Sequence, residues 1–220
     1  MESLKRIVHP VRVGPFCLGE GSVTIQTMLN CPAHDIAGNV RQAVEVEKAG
    51  CQILRTAIPD KEAVAQIDAI KSAVSIPLVA DIHFDYRLAL ESIEAGIDKI
   101  RINPGNIGSD DRVKAVAVAC ANAGVPIRIG VNAGSLEKEI LAKYGAPTAE
   151  ALVESALYHA SLLERFDFHD IVLSVKCSNV QTMVQAYRLL AEQCCYPLHL
   201  GVTEAGTKRM GLIKSAVGIG

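Results

Sequence analysis

Seven short apolar runs alternate along this chain with segments of helical period. The runs are "VTIQTML" (23–29), "QILRTAI" (52–58), "PLVADIH" (77–83), "KIRIN" (99–103), "PIRIGVN" (126–132), "DIVLSVK" (170–176) and "PLHLGVTE" (197–204). Between them, "NVRQAVEVEKAG" sets Val40, Val44 and Val46 near one face, with Glu and Lys elsewhere. "KEAVAQIDAIKSAV", "DYRLALESIEAG", "DRVKAVAVACANAG", "AEALVESALYHASLLERF" and "VQTMVQAYRLLAEQ" follow the same pattern. Strand, helix, strand, helix predicts parallel strands joined by right-handed crossovers. A short internal repeat agrees with this. "KAGCQILR", "EAGIDKIR" and "NAGVPIRI" each close a helix on Ala-Gly and open a strand, placing Gly50, Gly96 and Gly124 at the left-handed position after a helix.

Run starts fall 22 to 44 residues apart, the spacing of βα units. A (β/α)8 barrel and a doubly wound open sheet both satisfy it. No G-x-G-x-x-G fingerprint follows the first run, and polar residues end most of the runs rather than one switch point. Both features favour a TIM-type (β/α)8 barrel, of which seven of the eight strands are visible. Ahead of the first run, "VRVGPFCLGEGS" alternates apolar residues around Gly-Pro and predicts a small hairpin, placed to plug the N-terminal end of the barrel. The expected division is an N-terminal segment with the hairpin at 1–22 and an incomplete substrate-binding barrel at 23–220. The connection 133–150 is the longest and has room for an extra short helix.

Why should the most hydrophobic segments end in polar groups spaced two apart, as in Asp81-Ile82-His83 and Arg101-Ile102-Asn103? Alternate residues of a strand share a face. A charge under a helix carries a large desolvation penalty, whereas the inward face at the C-terminal end of a barrel strand opens into a wet mouth. That rule selects Arg55, Asp81, His83, Arg101, Asn103, Arg128, Asn132, Ser174, Lys176 and Glu204, with Gln26 as a weaker candidate. Arg55, Arg101, Arg128 and Lys176 come from four different runs in a chain of net charge −2. Guanidinium groups match phosphate oxygens in bidentate fashion, and four converging cations call for a multiply charged anion. A diphosphate fits better than a carboxylate. The glycines of "NPGNIG" and "NAGS" let backbone N–H groups approach such an anion. Each residue also has a structural reading. An arginine at a strand end can be an ion-pair partner, and His83 can be a hydrogen-bonded core histidine. Asp81 can cap the next helix or orient His83, and Glu204 can pair with Lys176. The joint pattern across six runs favours a site.

Composition excludes several classes. The near-neutral charge gives no global attraction to nucleic acid or membrane, and no apolar run nears the roughly 20 residues that span a bilayer. "MESLKRIVHPVRV" has no secretory signal, so the expected compartment is the cytosol. The seven cysteines form no C-x-x-C pair, and no metal or iron–sulfur site is legible in them. They read mostly as small buried hydrophobes. His9, His34, His159, His169 and His199 read as structural or exposed.

"VADIHFDYRLAL", "RINPGNIG", "IRIGVNAGSLEKEI", "LSVKCS" and "GVTEAG" together resemble the 4-hydroxy-3-methylbut-2-enyl diphosphate synthases of the methylerythritol phosphate route to isoprenoids. The resemblance runs from about the first strand to the last residue. It implies a TIM barrel whose cationic mouth holds 2-C-methyl-D-erythritol 2,4-cyclodiphosphate. It also implies a separate C-terminal domain with a [4Fe-4S] cluster, covering the barrel of the other subunit in a head-to-tail homodimer. Two electrons would open the ring with loss of water, supplied by flavodoxin, ferredoxin or an NADPH-linked reductase. On this chain it implies that Arg55, Arg101, Arg128 and Lys176 grip the diphosphate and that Asn103, Asn132 and Ser174 add neutral hydrogen bonds. Asp81 and His83 would hold the substrate's polar groups, and Glu204 would protonate the departing hydroxyl. None of the seven cysteines matches a cluster ligand, so turnover by these residues alone is not expected. The competing readings are an iron-free phosphate-ligand barrel (a pterin-using or aldolase-type enzyme) and a catalytically silent ligand-binding barrel.

Overall fold

The computed structural model describes residues 6–220, so the first five residues of the N-terminal segment lie outside the described residues. Strands β1 (Val11–Val13) and β2 (Phe16–Leu18) form an antiparallel hairpin. Six parallel strands follow: β3 (Gln26–Met28), β4 (Ile53–Ala57), β5 (Leu78–Asp81), β6 (Lys99–Ile102), β7 (Ile127–Asn132) and β8 (Ile171–Lys176). They pair in chain order, β3-β4-β5-β6-β7-β8. The helices between and after them are α1 (Ile36–Lys48), α2 (Gln66–Ala73), α3 (Tyr86–Glu94), α4 (Pro104–Ile107), α5 (Asp110–Ala123), α6 (Lys138–Tyr144), α7 (Ala149–Glu164), α8 (Val180–Gln193) and α9 (Lys208–Ile219).

Strand β5 is buried at all four positions, as expected for a parallel strand covered on both faces. The outward residues Leu54, Leu78, Ile100, Ile127, Ile129 and Ile171 join one core with the helices, each worth roughly 1.5–3 kcal/mol of burial. Helix α7 is the most enclosed and buries ten of its residues. Local signals start the helices. Asp35, Asp85, Asn103, Thr148, Asn179 and Thr207 cap α1, α3, α4, α7, α8 and α9 through side-chain oxygens that accept backbone N–H groups. Asp85, rather than Asp81, therefore caps the helix after β5. Gly50, Gly96 and Gly124 all have positive φ, as the repeated Ala-Gly ends predict.

The sheet curls on itself. Lys99 Nζ on β6 donates to Gln26 Oε1 on β3 at 3.2 Å, across the interior. The hairpin packs under the N-terminal ends of the strands, where Val13 meets Ile53 and Val79, with Phe16 and Leu18 against them. The extra helix expected in 133–150 is α6, preceded by a 3-10 turn at Ala133–Ser135.

Two elements depart from the sequence reading. The seventh run does not form a strand. It touches β8 through one parallel bridge, Leu173 with Leu198, closed by Leu173 N–H to the Pro197 carbonyl and His199 N–H to the Leu173 carbonyl. Among the described residues it has no pairing partner on its other side. The backbone beyond it also turns away from extended geometry, with φ +50° at Glu204 and +90° at Gly206. Helix α9 was not read from the sequence, and none of its residues is buried.

Candidate active site

Eight of the ten residues selected by strand-end position line one cavity of about 260 Å³ at the C-terminal mouth: Arg55, Asp81, His83, Arg101, Arg128, Asn132, Ser174 and Lys176. Met28, Ala57, Gly130 and Thr203 complete the lining. The register brings the strand-end residues level. Asp81 is opposite Arg101, Arg101 opposite Arg128, and Asn132 opposite Lys176.

Among the described residues Asp81 is the only carboxylate in the cavity wall, and it is buried. Arg101 donates to one of its oxygens at 3.0 Å, while Arg55 Nε and His83 Nε2 approach the other at 3.6 and 3.4 Å. Burial alone would raise the Asp81 pKa. The His83 hydrogen bond and the charges of Arg101 and Arg55 outweigh it and hold the carboxyl well below the usual carboxylate range. Asp81 thus orders two guanidinium groups and the rim imidazole.

Arg101 also donates to the Gly130 carbonyl at 3.1 Å. Gly130 makes room for this crossing, since a Cβ there would lie 2.6 Å from Arg101 Nε. Arg55 sets Nε and an NH2 nitrogen against Met28 Sδ, at 3.0 and 2.6 Å. Arg128 is almost wholly buried, and its Nε and one NH nitrogen have no hydrogen-bond partner. The Ser174 hydroxyl and Arg101 Nε are likewise buried and unpartnered. Unsatisfied buried donors of this kind are rare in folded proteins and mark places where a ligand's acceptors fit. Burial, and then Arg55 and Arg101, pulls the Arg128 pKa down to about 9, so it stays charged at neutral pH. Lys176 is pulled down to about 7 by burial and by Arg128, Arg55 and Arg101, against a smaller opposing effect of Asp81.

The other two selected residues lie apart from this lining. Asn103 is buried, and its side-chain oxygen accepts the Gly105 N–H at 3.2 Å, capping α4. Glu204 is exposed, one residue past Thr203, and its carboxylate is near the 133–135 turn: a Cβ on Gly134 would lie 3.5 Å from Glu204 Oε1. Glu204 forms no ion pair with Lys176 among the described residues, which sets aside the structural pairing considered for it.

Residues 8–220 match the family described as the GcpE TIM-barrel domain. The chain belongs to this family. The GcpE barrel is 58% identical over 213 residues to a protein of Geobacillus kaustophilus (strain HTA426) named 4-hydroxy-3-methylbut-2-en-1-yl diphosphate synthase (flavodoxin), covering 96% of this chain and 57% of that protein. A protein of the same name from Clostridium perfringens (strain 13 / Type A) is 56% identical over 217 residues, covering 98% of this chain and 62% of its own length. The chain therefore spans about three-fifths of these curated relatives. Among solved structures, the Yersinia pestis dihydropteroate synthase superposes with a TM-score of 0.58 at 12% identity, covering 96% of this chain and 99% of that one. An N-acetylmannosamine-6-phosphate 2-epimerase from Clostridium perfringens gives 0.53 at 14% identity, covering 88% and 82%. These two likenesses describe the fold alone.

The GcpE barrel also holds inward residues that strand-end reading passed over. Lys99 is two residues before Arg101 and shares its face. It is buried, with its pKa pulled down to about 7 by burial and by Arg128 and Arg55. His199 lines a second cavity of about 530 Å³, which reaches from the exposed residues Val23 and Ile25 in to Gln26, Ile53, Lys99 and Val172. Burial and the surrounding cations push its pKa well below the ordinary histidine value. The same two-residue period that selected Arg101 could have found Lys99. His199 lies on a run that pairs through a single bridge, so its direction was not readable.

No group of three or more His, Cys, Asp or Glu among the described residues is arranged to hold a metal ion, and the seven cysteines are all free thiols. The residues present therefore do not fit an iron–sulfur cluster. No described helix is long and apolar enough to cross a membrane.

Proposed function

We propose that this GcpE barrel binds 2-C-methyl-D-erythritol 2,4-cyclodiphosphate for its reductive opening to 4-hydroxy-3-methylbut-2-enyl diphosphate in isoprenoid biosynthesis. The observation that carries the reading is the convergence of Arg55, Arg101, Arg128 and Lys176 on one cavity whose wall holds a single carboxylate. Four cationic side chains around one carboxylate leave an excess of positive charge, which a diphosphate balances. The names of the relatives, which give 4-hydroxy-3-methylbut-2-en-1-yl diphosphate as what they make, support the same product.

In this reading Arg128 and Ser174 offer their unpartnered donors to the phosphate oxygens, with Arg101 Nε and Lys176 Nζ beside them. Asn132 adds a neutral contact. Asn103 acts by holding α4, and Asp81 and His83 act by fixing the directions of Arg55 and Arg101. Glu204 delivers a proton to the departing hydroxyl. The net conversion takes two electrons and two protons, cleaves the ring, and releases one water. The electrons enter from outside these residues. The cluster belongs to another part of a longer protein, and flavodoxin is the donor indicated by the relatives' names. A homodimer in which the partner covers the mouth suits the exposure of Glu204, His83 and Phe84.

The test is calorimetric titration of the full-length protein with the cyclodiphosphate. Arg101→Ala is expected to weaken binding by about 1–3 kcal/mol, the value of a charge-assisted hydrogen bond. Unchanged affinity would assign Arg101 to the ion pair with Asp81 alone.

A further inference from the structure

Behind the mouth, a buried histidine joins two loops. His159 is on α7 and is fully buried. Its Nε2 meets a carboxylate oxygen of Glu137, just ahead of α6 in the connection after β7. The same Cε1–Nε2 edge of the imidazole also meets α4, in the connection after β6. A Cβ on Gly105 would lie 2.6 Å from His159 Cε1, so glycine is needed for this approach. One edge of the ring therefore contacts both the Asn103–Gly108 segment and the Asn132–Glu137 loop and ties them together. Asn103 caps the first loop. The second begins at Asn132 in the mouth and carries Gly134 beside the Glu204 carboxylate.

A packing role alone is met elsewhere on α7 by Leu152, Val153 and Leu163, which are buried without polar atoms. An imidazole at His159 must be desolvated and is tolerated because Glu137 accepts its hydrogen bond. Its Nδ1 and Glu137 Oε2 remain buried and unpartnered, so the Nε2 contact is the sole hydrogen bond holding the ring. Glu137, by contrast, keeps 23% of its side chain exposed, so it can be changed without opening the core.

We infer that His159, through Glu137 and Gly105, is a positioning residue that sets the two mouth loops, and with them Asn132 and the approach of the 133–137 turn to Glu204. The inference rests on the proposed function only for its catalytic readout. Its structural content is the coupling of the two loops.

The test uses the full-length, cluster-loaded protein and the variants His159→Leu, His159→Gln and Glu137→Ala. Backbone hydrogen exchange is followed without ligand, together with turnover on the cyclodiphosphate under a chemical reductant. His159→Leu and Glu137→Ala are both expected to speed exchange in 103–108 and 133–138 together, leaving β6 and β7 protected, and to lower kcat at least tenfold with a smaller change in KM. His159→Gln, which can still donate to Glu137, is expected to recover part of both effects. If Glu137→Ala loosens neither loop, the inference is wrong. It is equally wrong if His159→Leu loosens α7 and the sheet along with the loops, because His159 is then core packing. Absence of cyclodiphosphate binding by the unmutated protein would overturn the proposed function while leaving the exchange result to judge the loop coupling.

Discussion

At their N-terminal ends β4 and β5 present Ile53 and Val79 to Val13 of the hairpin; two residues further along, the same inward faces present Arg55 and Asp81 to the mouth. Both pairs obey one two-residue period. What differs is access to water. Below, the hairpin closes the barrel and the side chains are apolar; above, the strands open and the side chains are charged. The division matches the general separation of stability and chemistry between the two faces of such barrels. Lys99 crosses it. It is rooted at the first position of β6, in the apolar half, yet carries a charge and one neutral partner, Gln26.

The sharpest break between the two regions is expected from Glu204→Gln. The substitution keeps shape and hydrogen-bonding capacity but removes the transferable proton. Turnover by the full-length, cluster-loaded protein should fall by roughly two to four orders of magnitude. Affinity for the cyclodiphosphate should barely move. Near-normal turnover would take Glu204 out of catalysis, and joint loss of binding and thermal stability would make it a structural residue.

Asp81→Asn comes next, because it places a stability determinant inside the mouth. Removing one member of a buried ionic set leaves the others uncompensated, at a cost of about 3–5 kcal/mol. Denaturant unfolding should show a lower midpoint, and added pyrophosphate should recover part of it by replacing the lost charge. A midpoint unchanged by the substitution would show that Arg55 and Arg101 are held by Met28 and Gly130 alone.

The lysines give a pH signature. Lys99 and Lys176 have pKa values near 7 in the folded protein against an ordinary lysine value of 10.5. From about pH 7 to 10.5 the unfolded chain binds more protons than the folded one, so stability without ligand should rise with pH across that window. A bound polyanion favours the charged lysines, so its affinity should fall over the same window, by up to about tenfold per pH unit for each proton taken up. Titrations in buffers of different ionisation enthalpy read that proton uptake directly. Binding without it would remove both lysines from the linkage.

The smallest effect belongs to the lower half. Ile53→Val trims one methylene from the contact with the hairpin and should lower stability by about 0.5–1.5 kcal/mol. Cyclodiphosphate affinity should stay the same. A clear loss of affinity would mean that floor and mouth are not independent.

Periodicity carried the reading a long way. Alternation within "LRTA", "VADIH" and "KIRIN" was enough to aim Arg55, Asp81 and Arg101 inward, because the two-residue pleat is a local property. The Ala-Gly helix ends are local too, and Gly50, Gly96 and Gly124 take positive φ where the sequence implied a helix end. What a side chain meets after it has been aimed is not local. Asn103 was selected with Arg101 for the mouth, but the turn of "NPGN" into a short helix recruits its oxygen as a cap.

The sequence by itself determined the alternation of the six paired strands with helices, the inward face of each of those strands, and the concentration of cations at one rim. All three follow from periods of two and 3.6 residues acting along the chain. Only the tertiary structure decided that Asp81 is shared between two arginines and His83, that Gly130 leaves room for Arg101, and that His159 meets both Gly105 and Glu137. It also decided that "PLHLGVTE" pairs at a single bridge. Those contacts join residues up to 54 positions apart (159 − 105), and they depend on how neighbouring strands are staggered around the curl. A hydrophobic pattern aims each strand's face without fixing what lies across from it.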